Sequence, residues 1–529
     1  MTTRKRHWLI GIGIGVVVAI IAILIAGSIL AKRFEPMIRD QAIAYMQQRF
    51  HCDVELAALH IHVPHVSAFS IVFHHESGIK VHVDGDKLSM RRRGFHDLPP
   101  LFSIRKFGFV VDLGSLAQDR KVVDSVSLEG MQINVPPKGE RADLGGNQSS
   151  GSDNNSEKSN VLIRDVRIRD AILTILPKDK AKVPLRFNVE SLHLASVGTE
   201  TAMKYDATLT NPKPPGKIDS KGKFGPWSAD EPGDTPLKGD YTFSHADLGV
   251  FNGIAGILNS TGSFDGTLDS IHAKGEATVP DFRLKMAGNP VPLLTSFDVL
   301  VDGTNGNTTL QPVHAKLGST TFTTKGAVIK HEDQQKRLVS LDVAMPDGNL
   351  RDLLRLAAKG SPFMEGRIKL NTKIDIPPLT GKVKEKLRLK GQFSVHDAKF
   401  LRSHIQDEID KLSRKAQGQP KNEEIDEVVS NMSGAFQLEN QRMTFSSLKF
   451  GVPGAHIQLA GDYNLGNDTL DFHGTMRLRA TVSQTMTGWK HWVLKPVDPF
   501  FEKNGAGTFL HIKVEGNAHH PDFGLDHGH

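Results

Sequence analysis

The stretch GQFSVHDAKF, Gly391 to Phe400, carries the reading of the fold. Phe393 and Val395 alternate with polar neighbours, the period-two pattern of a strand with one dry face and one wet face. Two other stretches share its grammar: GEATVPDFRL from Gly275 and GDYTFSHADL from Gly239. Each opens on Gly and places Thr or Ser fourth. The third and fifth places are apolar in both, Ala277 and Val279 in one, Tyr241 and Phe243 in the other. A strand unit met three times predicts a sheet assembled from recurring pieces.

A longer internal match supports this. Residues 301–328 and 436–463 superpose at a constant offset of 135 without a gap. Leu310 falls on Phe445, Val313 on Leu448, Phe322 on Ile457 and Gly326 on Gly461, while Thr309 and Thr444 are identical. Strand, tight turn, strand, loop, strand is the pattern of an antiparallel meander. Between the copies lie helical pieces at 349–358 and 401–432. In the latter, Ile405, Ile409 and Leu412, then Ile425, Val428, Val429 and Met432, recur at helical spacing and predict an inserted helical pair.

Working outward, residues 161–400 form a central β region and 433–529 a C-terminal one. The C-terminal region closes with the strand GTFLHIKVEG and a polar tail. Before that strand, TGWKHWVLKPVDPFFEKNGAG holds Trp489 and Trp492, aromatics beside lysines that suit either a membrane interface or a plug at the end of a β structure. Residues 136–160 lack apolar periodicity and read as a flexible linker or long loop. Residues 32–135 begin with an amphipathic helix over 36–50, with Pro36 at its first turn and Ile38, Ala42, Tyr45, Met46 and Phe50 near one face. Short alternating runs follow. His60 and His62 share a strand face there, and solvent-facing histidines are the plainer reading than a metal site.

Residues 8–31, behind a short tip at 1–7, form an uncharged run of 24 residues that opens on Trp8. A helix of that length spans roughly 36 Å, enough to cross a hydrocarbon core of about 30 Å. The run exceeds the h-region of a cleaved signal peptide, so a single-pass anchor is expected. Arg4, Lys5 and Arg6 precede it and Lys32, Arg33 and Arg39 follow, so charge alone leaves its orientation nearly tied.

At 529 residues the chain is too long for one compact core. A net charge of +6, about one excess charge per 90 residues, argues against nucleic acid as a partner. The lone Cys52 excludes an internal disulfide framework. The chain holds no GxSxG, Walker loop, HExxH, Cys pair or dinucleotide fingerprint. A non-enzymatic chain without cofactor or metal is the expectation.

The ends of the chain resemble the AsmA family. RDQAIAYMQQRFHCDVELAALHIHVP and VSLEGMQINVPP are similar to that family's opening, itself related to the chorein-type start of bridge-like lipid transfer proteins. VVSNMSGAFQLENQRMTFSSLKFGVPGAHIQLAGDYNLGNDTLDFHGTMRLRA, with GWKHWVLKPVDPFFEKNGAGTFLHIKVEGNAHHPDFG, resembles an AsmA-like C-terminal region. The resemblance implies an inner-membrane anchor in a Gram-negative envelope with the β region in the periplasm, and a role in phospholipid movement or outer-membrane assembly.

The expected fold is mainly β: an elongated, curled antiparallel sheet or groove of repeated meanders, with one transmembrane helix and a few short helices. Its apolar interior would hold phospholipid acyl chains at about 0.8 kcal/mol per CH₂. Some 25–30 strands would make a trough about 120–140 Å long. The residues expected to line it are Tyr241, Phe243, Val279, Phe322, Phe393, Val395 and Ile457, with Trp8, Trp489 and Trp492 at a membrane interface. Ordinary core packing between two sheets suits each lining residue equally well. Two other functions fit the same texture: a scaffold for outer-membrane proteins or a periplasmic partner, and an anchored enzyme acting on envelope glycans.

Overall fold

The computed structural model describes residues 36–48 (less 37 and 45), 52–62, 80–93, 99–112, 121–135, 161–176 and 184–198, and with short breaks 201–479 and 509–526. The expected membrane span at 8–31, the linker at 136–160, Trp8, Trp489 and Trp492 lie outside the described residues. Among the described residues no helix is long and apolar enough to cross a membrane. The chain is mainly β and almost wholly antiparallel, with few short helices, and divides into two compact units, 1–242 and 243–529.

The first unit carries β1 (Cys52–His62), β2 (Lys80–Arg92), β3 (Phe102–Asp112), β4 (Lys121–Glu129), β5 (Gln132–Val135), β6 (Val161–Ile175), β7 (Leu185–Val197), β8 (Met203–Pro212) and β9 (Pro215–Phe224). The boundary between the units falls inside β10 (Pro236–Asp247). Helical residues between 36 and 48 precede β1. Ile43 packs on Leu56, Leu59, Val81 and Val83; of the face the sequence suggests, Ala42 and Met46 are half-buried, Ile38 is exposed, and Tyr45 and Phe50 lie outside the described residues. One pairing departs from the antiparallel expectation. β4 and β5 both run parallel to β6, with Val126 beside Val166 and Ile133 beside Leu173. A parallel pair needs a long crossover, and the chain between β5 and β6 supplies the length.

The second unit carries β11 (Ile254–Ala255), β12 (Ile257–Thr267), β13 (Ser270–Val279), β14 (Arg283–Leu284), β15 (Leu293–Val301), β16 (Thr308–Leu317), β17 (Thr320–Ile329) and β18 (Leu338–Asn349). It continues with β19 (Met364–Ile376), β20 (Arg388–Phe400), β21 (Ser430–Glu439), β22 (Arg442–Val452), β23 (Ala455–Asn464), β24 (Thr469–Leu478), β25 (Phe509–Asn517) and β26 (His520–Leu525). Apart from the separate pair β11–β14, each strand from β12 onward pairs antiparallel with the next. Among the described residues three α-helices interrupt the series: α1 (Leu350–Ala357), α2 (Val383–Lys386) and α3 (Ser403–Gln417).

Two expectations fail here. Of the helical pair placed at 401–432, α3 forms and 418–427, with Ile425, lie outside the described residues, but Val428 and Val429 are not helical and Met432 lies in β21. Met432 pairs with Val395 and Val428 is buried in an apolar cluster, so sheet pairing overrides an apolar spacing that suited either structure. The polar tail supplies β26, which pairs Phe523 with Val514 and Leu525 with Ile512. Pro521 suits an edge strand, where one row of amides needs no partner.

The repeats are structural. In GQFSVHDAKF the seventh residue, Asp397, is left-handed at φ 53° and the eighth, Ala398, is fully buried. In GDYTFSHADL, His245 (φ 55°) and Ala246 occupy the same places with the same properties. At Val395/Ala398 the pairing slips by one residue, the mark of a β-bulge. The bulge turns a small side chain into a core that a regular strand would present to solvent. GEATVPDFRL departs from this: its strand stops at Val279, because Pro280 cannot continue the ladder.

Candidate functional site

Directly paired residues of a sheet share a face, so the registers trace which side chains lie side by side. In the second unit one such row runs Phe393, Gly434, Leu448, Leu459, Gly474, Ile512, Leu525, from β20 to β26. A second, two residues along, runs Ile368, Val395, Met432, Phe450, Ile457, Met476, Leu510. A third runs Gly391, Phe436, Phe445, Gly461, Phe472, Val514, Phe523. Three adjacent rows without a charge make one continuous apolar face.

The glycines in these rows are spacers. Gly434 lies opposite Phe393, and Gly461 lies between Phe445 and Phe472, leaving room for the rings to lean over neighbouring strands. Phe393, Phe436, Phe445 and Phe472 follow one another with centroids 6.2, 6.4 and 5.8 Å apart, all tilted. Tilted rings at this range attract one another beyond their buried area. Of this ladder only Phe393 was among the residues expected from sequence to line the groove. Phe436 and Phe445 were legible in the sequence only as members of the offset-135 match.

The first unit has an apolar face of its own. Val83, Phe109, Val126, Val166, Leu194, Tyr205 and Gly222 form one paired row. The row on the opposite face reads Asp84, Gly108, Ser127, Arg167, His193, Asp206, Lys221. Strand alternation thus separates oil from water in each unit.

The expected lining residues divide. Val395 and Val279 are 2% and 3% exposed. Val395 is packed with Met345, Leu350, Met364, Ile368 and Ala398 under α1, and Phe322 and Phe393 pack against that cluster. Val279 and Val395 are therefore core residues: Val395 is covered by α1, and Val279 by the segment around Gly256, where an added Cβ would stand 2.6 Å from its Cγ1. Phe322, Phe393 and Ile457 stay half-buried on the apolar face. Tyr241 and Phe243 are half-buried in β10, on either side of the unit boundary.

The polar faces are laced with ion pairs. In the first unit Asp124, between Lys80 of β2 (2.8 Å) and Arg164 of β6 (2.9 Å), is held below the usual carboxylate range chiefly by its hydrogen bond from Lys80. In the second, Asp471, His473 and Glu515 bring ligand atoms within 4.8 Å of one another. The group is an ion-pair network: the His473 ring reaches Asp526 from Nδ1 (2.9 Å) and Asp471 from Nε2 (3.1 Å), while Lys513 donates to Glu515 (2.7 Å). These carboxylates, Asp526 first, raise the His473 pKa. Nearby, burial and then the hydrogen bond to Asp468 push the Tyr463 phenol up to about 12. His60, His62 and His82 of the first unit are exposed, with His62 3.5 Å from Asp84.

Compared with protein family models, curated proteins and solved structures, the chain matches none.

Proposed function

We propose that the chain is a membrane-anchored periplasmic protein of the AsmA type that holds phospholipid acyl chains along its apolar sheet face. One observation carries the reading: in the second unit three paired rows between β19 and β26 stay uncharged while their neighbours on the other face are mostly polar, Lys449, Gln458, Ser433, Thr444 and Asp471 among them. A soluble protein ordinarily exposes apolar patches of a few hundred Å² at most. Half-buried Phe436, Phe445, Ile457 and Leu459, with exposed Phe523 and Leu525 at the edge strand, offer acyl chains a dry surface. Such binding needs no catalytic group, since each CH₂ moved out of water contributes about 0.8 kcal/mol.

In this reading the span at 8–31 anchors the chain in the inner membrane, and the β region serves lipid movement in the cell envelope. Site-specific photo-crosslinking in cells tests it. A crosslinker at Phe445 or Ile457 should capture phospholipid, and one at Thr444 or Gln458, on the opposite face, should capture far less. Equal labelling of both faces, or no lipid adduct on either, would sink the proposal. Polypeptide adducts in place of lipid would favour the assembly scaffold instead.

A further inference from the structure

From β21 to β24 the polar face of the second unit is charge-balanced at one end of its strands and unbalanced at the other. At the balanced end, Arg388 meets Glu439 at 3.0 Å, Arg442 meets Asp462, and Lys513 meets Glu515. Toward the β22–β23 turn the pattern changes. A cleft of about 820 Å³ opens there, bordered by Lys449, His456, Arg477 and Arg479, with no carboxylate among its described lining residues. None of these four side chains has an ion-pair or hydrogen-bond partner among the described residues, although all four are exposed and long enough to seek one.

The registers make the crowding concrete. His456 is directly opposite Arg477, so their Cβ atoms lie about 5 Å apart. Lys449 is on the same face, diagonal to His456 at about 7 Å. Arg479 follows β24, its amide donating to the Gly454 carbonyl at 2.8 Å. Elsewhere on this face basic side chains are answered by carboxylates, and here none of the described lining residues supplies one. Gly451, opposite His456, leaves a floor without a side chain, and Asn431, Ser433 and Thr475 add neutral donors around it. Cations gathered in a concave, low-dielectric wall focus their field into it.

We infer that this cleft is a binding site for a phosphate-bearing headgroup. The guanidinium groups of Arg477 and Arg479 would take phosphate oxygens in bidentate fashion, with Lys449 as a point charge beside them. The volume exceeds that of a lone phosphate and falls within the usual range for a small-molecule site. The basic side chains project from the face opposite the acyl-binding rows, while Val395, Met432, Phe450 and Ile457 of those rows also border the cleft.

The test uses the full chain in uncharged detergent, titrated calorimetrically with glycerol 3-phosphate, with dihexanoyl phosphatidylglycerol below its micelle concentration, and with dihexanoyl phosphatidylcholine. Saturable binding of the first two, weakened tenfold or more in Lys449→Gln/Arg477→Gln and unchanged in Lys513→Gln, is the expected result. The three substituted side chains are exposed, so a matching circular dichroism spectrum will show that each variant folds. Tighter binding of phosphatidylglycerol than of glycerol 3-phosphate would make the source a lipid, and equal binding a soluble phosphate ester. No saturable binding of either anion, equal binding of phosphatidylcholine, or binding untouched by the double substitution would overturn the inference.

Discussion

The two meanders β16–β17 and β22–β23 share a framework and differ in what covers them. Both slip register at the same place, Leu310/Val313 in one and Phe445/Leu448 in the other, 135 residues apart. Both begin their second strand on a buried turn residue, Thr320 or Ala455. Both then need glycine at one point, Gly326 (φ 145°) or Gly461 (φ 158°), where a Cβ would stand 2.1 Å from the next strand's carbonyl oxygen. The coverings come from opposite directions along the chain. The first turn is closed by α1, which follows it: one Asp352 carboxylate oxygen accepts from Ser319 N (2.8 Å), Ser319 Oγ (2.7 Å) and Thr320 Oγ1 (2.9 Å). The second is closed by α3, which precedes it: Ser413 Oγ donates to the Pro453 carbonyl at 2.9 Å, and Ala416 packs with Val452 and Ala455. One turn is held by a charge and the other by apolar contact. The lesson is that the meander is the repeated unit and the helix an independent solution to capping its end.

The comparison can be broken most severely at the shared glycine. Gly326→Val and Gly461→Val should each cost about 3 kcal/mol or more through backbone strain and the clash with the neighbouring strand. Hydrogen exchange should show protection lost over β17–β18 in the first variant and β23–β24 in the second. Equal tolerance of both would show that the shared geometry is not required.

The coverings should respond unequally. Asp352→Ala removes the acceptor of three donors and should loosen the Leu317–Thr320 turn by about 2–3 kcal/mol, while Ser413→Ala removes one hydrogen bond and should cost about 1 kcal/mol. Amide protection at the two turns reads the difference, and a reversed order would sink the distinction between a charged and an apolar cap.

The smallest effect is electrostatic. The His473 pKa is raised by Asp526 and Asp471, so the stabilisation is fully present below the unfolded value near 6.5 and is lost as pH rises through the folded value. Asp526 lies at the end of β26, so protection of β26 amides, corrected for intrinsic exchange, should fall over that window in wild type and not in His473→Gln. The pair is surface-exposed, so salt should flatten the response.

Much of the fold was legible because period-two alternation depends on each residue's immediate neighbours. Phe393, Val395, Phe322 and Ile457 could be placed in strands, on one face, from the chain alone. The candidate site was less legible. Val279 and Val395 read as lining residues because alternation distinguishes the dry face from the wet one but not a covered part of the dry face from an open one. Phe472 escaped notice because its ring neighbour, Phe445, is 27 residues away in sequence.

Strand grammar, the match at an offset of 135 and the glycines it needs are written in the chain, since these are steric requirements on local backbone. The tertiary structure alone decided the rest. It set the parallel pairing of β4 and β5 with β6, the conversion of 430–432 from helical spacing to strand, and the clustering of Lys449, His456, Arg477 and Arg479 with no carboxylate among the described lining residues. Each of these depends on which strands meet and in what register. A shift of one residue there exchanges the two faces of a strand, and no local pattern records it.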